Sequence, residues 1–130
     1  MSRKAKILIV DDEVILAVSM ERELARRGYQ TCESACSGAE ALEKLKTEQP
    51  DLVVLDCCLS GCDIDGFETA HRIRSISDVP IVFMSGLSRS EIECKTNAIE
   101  GSAFLPKPFN PEAMIQVIEN ALKTVSPPSS

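Results

Sequence analysis

Ile7-Leu8-Ile9-Val10-Asp11-Asp12-Glu13 decides the fold: four apolar residues run together and stop on three carboxylates. So short and uniformly apolar a run reads as a strand buried on both faces, and both faces are covered when helices pack on each side of a parallel sheet. Leu52-Val53-Val54-Leu55-Asp56 repeats the pattern, an apolar run closed by an acid. Residues 80–84 form a third apolar run and residues 102–105 a shorter one. Residues 29–35 are more polar and read as an edge strand.

Helical stripes fill the intervals. Leu16, Met20 and Leu24 recur every four residues; Ala41, Leu42 and Leu45 make a second stripe, and Met114, Ile118 and Leu122 a last one. Ser37 with Glu40, Asp65 with Glu68 and Ser88 with Glu91 have capping-box spacing. Asn110 before Pro111 reads as an N-cap with proline at the first helical position. Gly28, after Arg26-Arg27, marks the end of the first helix. Strand and helix alternate five times, which implies right-handed crossovers and an α/β fold. A flavodoxin-like (βα)5 doubly wound parallel sheet, strand order 2-1-3-4-5, is expected. The 130 residues suit one domain, expected over residues 1–125, with the Ser/Pro-rich residues 126–130 as a tail or the start of a linker.

With 14 Lys+Arg against 20 Asp+Glu, the net charge is −6, which argues against direct nucleic-acid binding by this domain. One Tyr, four Phe and no Trp leave little for a base-stacking platform. No apolar run approaches the roughly 20 residues of a membrane span. The basic N-terminus leads into a strand-like run rather than a signal peptide, so a cytoplasmic protein with no membrane partner is expected. The six cysteines then read as reduced thiols.

In a doubly wound sheet, ligands sit beyond the C-terminal strand ends where the strand order reverses, here between the first and third strands. Asp11, Asp12 and Glu13 follow one and Asp56 the other, so carboxylates converge at one mouth. Like charges this close raise one another's pKa unless a cation neutralises them. Few, hard oxygen ligands suit Mg²⁺, which shares its sites with phosphates. A helix dipole alone would account for Asp12 and Glu13. It accounts poorly for Asp56, which follows a wholly apolar strand where no helix begins. Ser85 ends the fourth strand and Lys107 follows the fifth, between Pro106 and Pro108. Both would reach the same mouth, one as a hydrogen-bond donor and one as a point charge for phosphate oxygens.

These residues, in this order, resemble a response regulator receiver domain: Asp11-Asp12, Asp56, Ser85 and Lys107-Pro108, with Ser37-Gly38-Ala39-Glu40-Ala41-Leu42 and Asp65-Gly66-Phe67-Glu68 opening helices. The likeness covers about residues 5 to 124. It implies that Asp56 is the phosphoacceptor and that Asp12 and Asp56 ligate Mg²⁺, with Asp11 nearby and the Cys58 carbonyl completing the protein ligands. It implies that Lys107 offsets phosphoryl charge, that the Lys107–Pro108 bond is cis, and that Ser85 and Phe104 form a switch. The phosphoryl source would be a histidine kinase or histidine phosphotransfer protein. The output surface would be the fourth helix, fifth strand and fifth helix, facing an output domain or protein target. Homodimerisation on phosphorylation stays open. The protein is read as a phosphoacceptor acting on itself rather than as a conventional enzyme.

The chain departs from the family pattern after Asp56. Ser60 stands where proline is usual, and the loop 57–65 is two residues longer, which keeps a phosphorylation-independent binding module as the alternative. Cys57, Cys58 and Cys62 cluster there, but their spacing lacks the paired knuckles of a zinc site. Phe104 also suits a plain core role, and His71 a helix surface. A haloacid dehalogenase-like phosphatase fits badly, because its nucleophile follows the first strand and its acidic pair comes late.

Overall fold

The computed structural model describes residues 5–57, 66–86, 102–107 and 109–124. Among them, β1 (Lys6–Val10), β2 (Gln30–Thr31), β3 (Leu52–Asp56), β4 (Ile81–Ser85) and β5 (Ser102–Pro106) form one parallel sheet in the order β2-β1-β3-β4-β5. Helices α1 (Val14–Arg26), α2 (Gly38–Glu48), α3 (Gly66–Ile76) and α4 (Pro111–Thr124) cover it. This is the flavodoxin-like order expected, and α4 is the helix of the fifth strand–helix unit. The helix expected from Ser88 and Glu91, the Asp65 cap and the tail 126–130 lie outside the described residues.

The alternation of side chains along each strand divides the core into two layers. Leu8, Val10, Val53, Leu55, Ile81 and Phe83 face α2 and α3, meeting Ala41, Leu45, Ala70 and Ile73. Ile7, Ile9, Leu52, Val54, Val82 and Met84 face α1 and α4, meeting Met20, Leu24, Met114 and Ile118. The whole of β3 and β4 is buried, which is why their sequences are continuous apolar runs. The stripes are slightly displaced from expectation: Ala17 is buried in α1 and Ile115 in α4, while Leu16, Leu42 and Leu122 are only partly covered.

The second strand is much shorter than the edge strand expected over residues 29–35. Its ladder ends at Thr31, and an isolated bridge joins Ala35 to Val10. Cys32 and Ala35 still donate N–H bonds to the carbonyls of Ile7 and Ile9, at 3.1 and 2.9 Å. Glu33, between them, is exposed. Ala35 returns beside β1 and accepts the Asp11 N–H at 3.0 Å.

Caps set the helix boundaries. The Ser37 hydroxyl accepts the Glu40 N–H at 3.1 Å, and the Glu40 carboxylate accepts the Cys36 N–H at 2.8 Å, one residue earlier than a standard capping box. At the end of α1, Gly28 takes φ 94°. Its N–H bonds the Ala25 carbonyl and the Tyr29 N–H bonds the Leu24 carbonyl, both at 3.0 Å, a Schellman pair that suits glycine. The Asn110 side-chain oxygen accepts the Ala113 N–H at 2.7 Å and starts α4. Asn110→Ala should therefore cost about 1 kcal/mol of stability. Urea unfolding would show this as a lower midpoint with an unchanged slope.

Candidate functional site

The sheet register places the site. Val10 pairs with Leu55, Asp56 with Met84 and Ser85 with Pro106, so four strands end at nearly one level. Asp56 is the last residue of β3 rather than the first beyond it, and Ser85 is the last of β4, as expected. The Lys107 N–H donates to the Ser85 carbonyl at 2.8 Å, holding the end of β5 against β4.

Carboxylate oxygens of Asp11, Asp12 and Asp56 lie within 4.8 Å of one another. Asp11 and Asp56 are buried, and Asp12 is half-buried. The Lys107 ammonium sits 3.4 Å from Asp56 Oδ2 and keeps partial contact with solvent. The site is thus a recessed acidic cluster with one cation on its β5 side. Ser85 is buried at the same edge of the sheet.

Asp11 is fixed at two points, its N–H and its Oδ1. Its N–H bonds Ala35, its Oδ1 accepts the Glu13 N–H at 2.8 Å, and its Oδ2 is buried with no hydrogen-bond partner among the described residues. Burial pushes its carboxyl pKa up to about 6, and the charge of Asp56 adds to the rise. The Glu13 N–H and the Lys107 charge act in the opposite direction. A buried carboxylate oxygen with no donor needs a proton or a cation. Three converging hard oxygen donors fit a small divalent cation such as Mg²⁺. The Cys58 carbonyl and Pro108, expected to take part, lie outside the described residues.

Phe104 is half-buried against the core layer of Leu55 and Phe83, so its packing role is real whatever else it does. Cys32 and Cys57 are buried in that layer, and burial pushes the Cys32 thiol pKa up. His71 is exposed on α3.

Two features escaped the sequence reading. Val14, Ile15 and Val18 are 59, 87 and 39 % exposed on α1, starting two residues after Asp12. Together with Glu13 and Ser19, Val14 and Ile15 line an open concavity of about 710 Å³. Their signal was present: they are apolar yet lie off the Leu16/Met20/Leu24 stripe. The other feature is Gly66, whose contact with the Asp56 backbone is visible only in three dimensions.

The family described as response regulator receiver domain matches residues 7–119. The transcriptional regulatory protein YvrH of Bacillus subtilis is 36% identical over 119 residues, covering 92% of this chain and 49% of that protein. The probable transcriptional regulator ycf27 of Porphyridium aerugineum is 35% identical over 130 residues, covering 98% of this chain and 52% of that protein. The chain thus spans about half the length of these curated relatives. The crystal structure of the NtrX receiver domain from Brucella abortus superposes with a TM-score of 0.82 at 32% identity, covering 91% of this chain and 98% of that one. A two-component response regulator from Clostridium difficile gives 0.84 at 26% identity, covering 95% and 100%. No described helix is long and apolar enough to cross a membrane.

The Asp11 shift has a signed consequence. Its pKa is raised from 3.8 to about 6 in the folded chain, so that chain binds more protons than the unfolded one between those values. The stability Asp11 contributes is present below the unfolded pKa and is lost as pH rises through about 6. In excess chelator, thermal unfolding of wild type should lose stability relative to Asp11→Asn as pH rises from 4 to 7. Parallel pH profiles for the two proteins would contradict the assignment.

Proposed function

The chain belongs to the response regulator receiver domains of two-component systems, and we propose that it takes a phosphoryl group onto the Asp56 carboxylate. The observation that carries this reading is the convergence of Asp11, Asp12, Asp56 and Lys107 at the carboxyl edge of the sheet. The donor is a phosphohistidine on a histidine kinase or phosphotransfer protein. An Asp56 oxygen attacks phosphorus, the P–N bond breaks, and the departing imidazole takes up a proton, leaving an acyl phosphate. Asp11, Asp12 and Asp56, together with the Cys58 carbonyl, would hold Mg²⁺, which when bound would supply positive charge against the transferring phosphoryl group. Lys107 does the same from the β5 side, where its ammonium already lies 3.4 Å from Asp56. The receiver unit spans residues 1–125 and acts in the cytoplasm.

The acyl phosphate then biases a switch. The Ser85 hydroxyl donates to a phosphoryl oxygen, and Phe104 turns into the space this movement opens. The phosphate makes contacts only the active arrangement offers, so it shifts a pre-existing equilibrium. The surface changed is the fourth helix expected from the sequence, together with β5 and α4. It faces an output domain or protein target, and a transcriptional output is supported by the relatives' names as transcriptional regulators. The exposed Val14, Ile15 and Val18 flank the acidic mouth and give a protein phosphodonor an apolar seat.

Intact-mass spectrometry after incubation with acetyl phosphate and Mg²⁺ should show one added phosphate on wild type and none on Asp56→Asn or in excess chelator. An Asp56→Asn protein that still acquires phosphate would move the site. An unlabelled, folded wild type would favour a phosphorylation-independent binding module. Lys107→Ala should accept phosphate yet lose the accompanying change in partner binding; wild-type partner binding in that variant counts against its role. Ile15→Ser should slow transfer from a phosphohistidine protein by about tenfold, the scale of losing one apolar contact. Labelling by acetyl phosphate should be unaffected, and equal slowing with both donors would remove α1 from docking.

A further inference from the structure

Gly66 opens α3 with its Cα pressed against the peptide that follows Asp56. A Cβ built there would fall on the Asp56 carbonyl oxygen, 2.7 Å from Cα of Cys57 and 3.0 Å from the carbonyl carbon of Asp56. All three are backbone atoms, so no side-chain rotation relieves the contact. The Gly66 N–H also donates to the Cys57 carbonyl at 3.3 Å, while the Cys57 N–H donates to the Met84 carbonyl at 3.0 Å. The Asp56–Cys57 segment is therefore gripped between α3 and β4.

The helix has little freedom to back away. The Phe67 ring stacks on Phe83 of β4, with centroids 5.6 Å apart and planes 27° from parallel. Thr69, Ala70 and Ile73 are fully buried behind it. An added methyl at residue 66 has two outlets. Lifting the first turn of α3 gives up the Phe67–Phe83 stack. Displacing the Asp56 backbone moves a carboxylate that must meet Asp11, Asp12 and Lys107 together.

We propose that Gly66 is a positioning residue of the phosphoacceptor site: the absence of a Cβ lets α3 seat the Asp56 backbone where its carboxylate joins Asp11, Asp12 and Lys107. The inference rests on Asp56 being the phosphoacceptor. Misplacing a reacting group by about 1 Å costs on the order of 10²-fold in rate, so even partial displacement is measurable.

The test compares wild type with Gly66→Ala, Phe67→Leu and Ile73→Val. Ile73→Val removes one buried methyl from the same helix, lowering the urea midpoint, without touching Asp56. Mg²⁺ affinity by titration calorimetry, the phosphorylation rate with acetyl phosphate, and urea stability are read for each. Ile73→Val should lose stability and keep both Mg²⁺ affinity and rate. Gly66→Ala should weaken Mg²⁺ binding and slow phosphorylation by about tenfold or more. Phe67→Leu, which loosens the same grip, should weaken Mg²⁺ binding in a protein whose residue 66 is intact. Gly66→Ala matching Ile73→Val in affinity and rate overturns the proposal. If Gly66→Ala does not fold, an unchanged Mg²⁺ affinity in Phe67→Leu overturns it instead. The wild-type arm reports separately on the phosphoacceptor reading. A wild type that binds Mg²⁺ but takes no phosphate sinks that reading, while the variant affinities still judge the positioning. One that neither binds Mg²⁺ nor takes phosphate sinks both.

Discussion

Asp11, Asp12 and Asp56 bring carboxylate oxygens within 4.8 Å of one another, with two of the three side chains out of water. Lys107 brings a positive charge to one side, 3.4 Å from Asp56. Like charges held this close in a medium less polarisable than water repel, and the raised pKa of Asp11 expresses its burial first and the Asp56 charge second. Other contacts must hold the carboxylates together against this repulsion. Here the sheet does so, because β1 and β3 are hydrogen-bonded neighbours in a register that sets Val10 opposite Leu55. The residual demand for positive charge is what a divalent cation can meet.

The energy that holds the acids in place comes from the two apolar layers. Strands β3 and β4 are buried along their whole length between helices on both faces. Burial at roughly 25 cal/mol per Å² of apolar surface makes this the dominant favourable contribution. The layers are not equivalent in what they support. The layer facing α2 and α3 contains Cys57, Phe83 and the partly covered Phe104, all close in sequence to the site or its proposed switch. The layer facing α1 and α4 ends in the helix whose first turn exposes Val14 and Ile15.

Backbone contacts complete the positioning. Ala35 returns to β1 after the edge strand has broken off, and its carbonyl holds the Asp11 N–H. The Glu13 N–H orients the Asp11 carboxylate from the start of α1. Gly66 presses on Asp56 from the start of α3. The acids are thus gripped from the sheet edge and from two helix starts, so stiffness at the site comes from elements far apart in sequence.

Much of this was legible in the residues alone. Uniformly apolar runs announced strands buried on both faces, because an exposed face would have required polar alternation. The caps at Ser37 and Asn110 and the stop at Gly28 marked helix boundaries because they satisfy backbone groups within a few residues. The strand order and the acids at its turning point followed from connection rules, and the motif order led to the family. Other features needed the tertiary structure. The early end of β2, the burial of Asp11 Oδ2, the exposure of Ile15 and the meeting of Gly66 with Asp56 depend on which distant segments share a volume. Local sequence encodes period and capping, which act over one or two turns. Burial and backbone contact between segments ten to forty residues apart arise only once the sheet has placed them side by side.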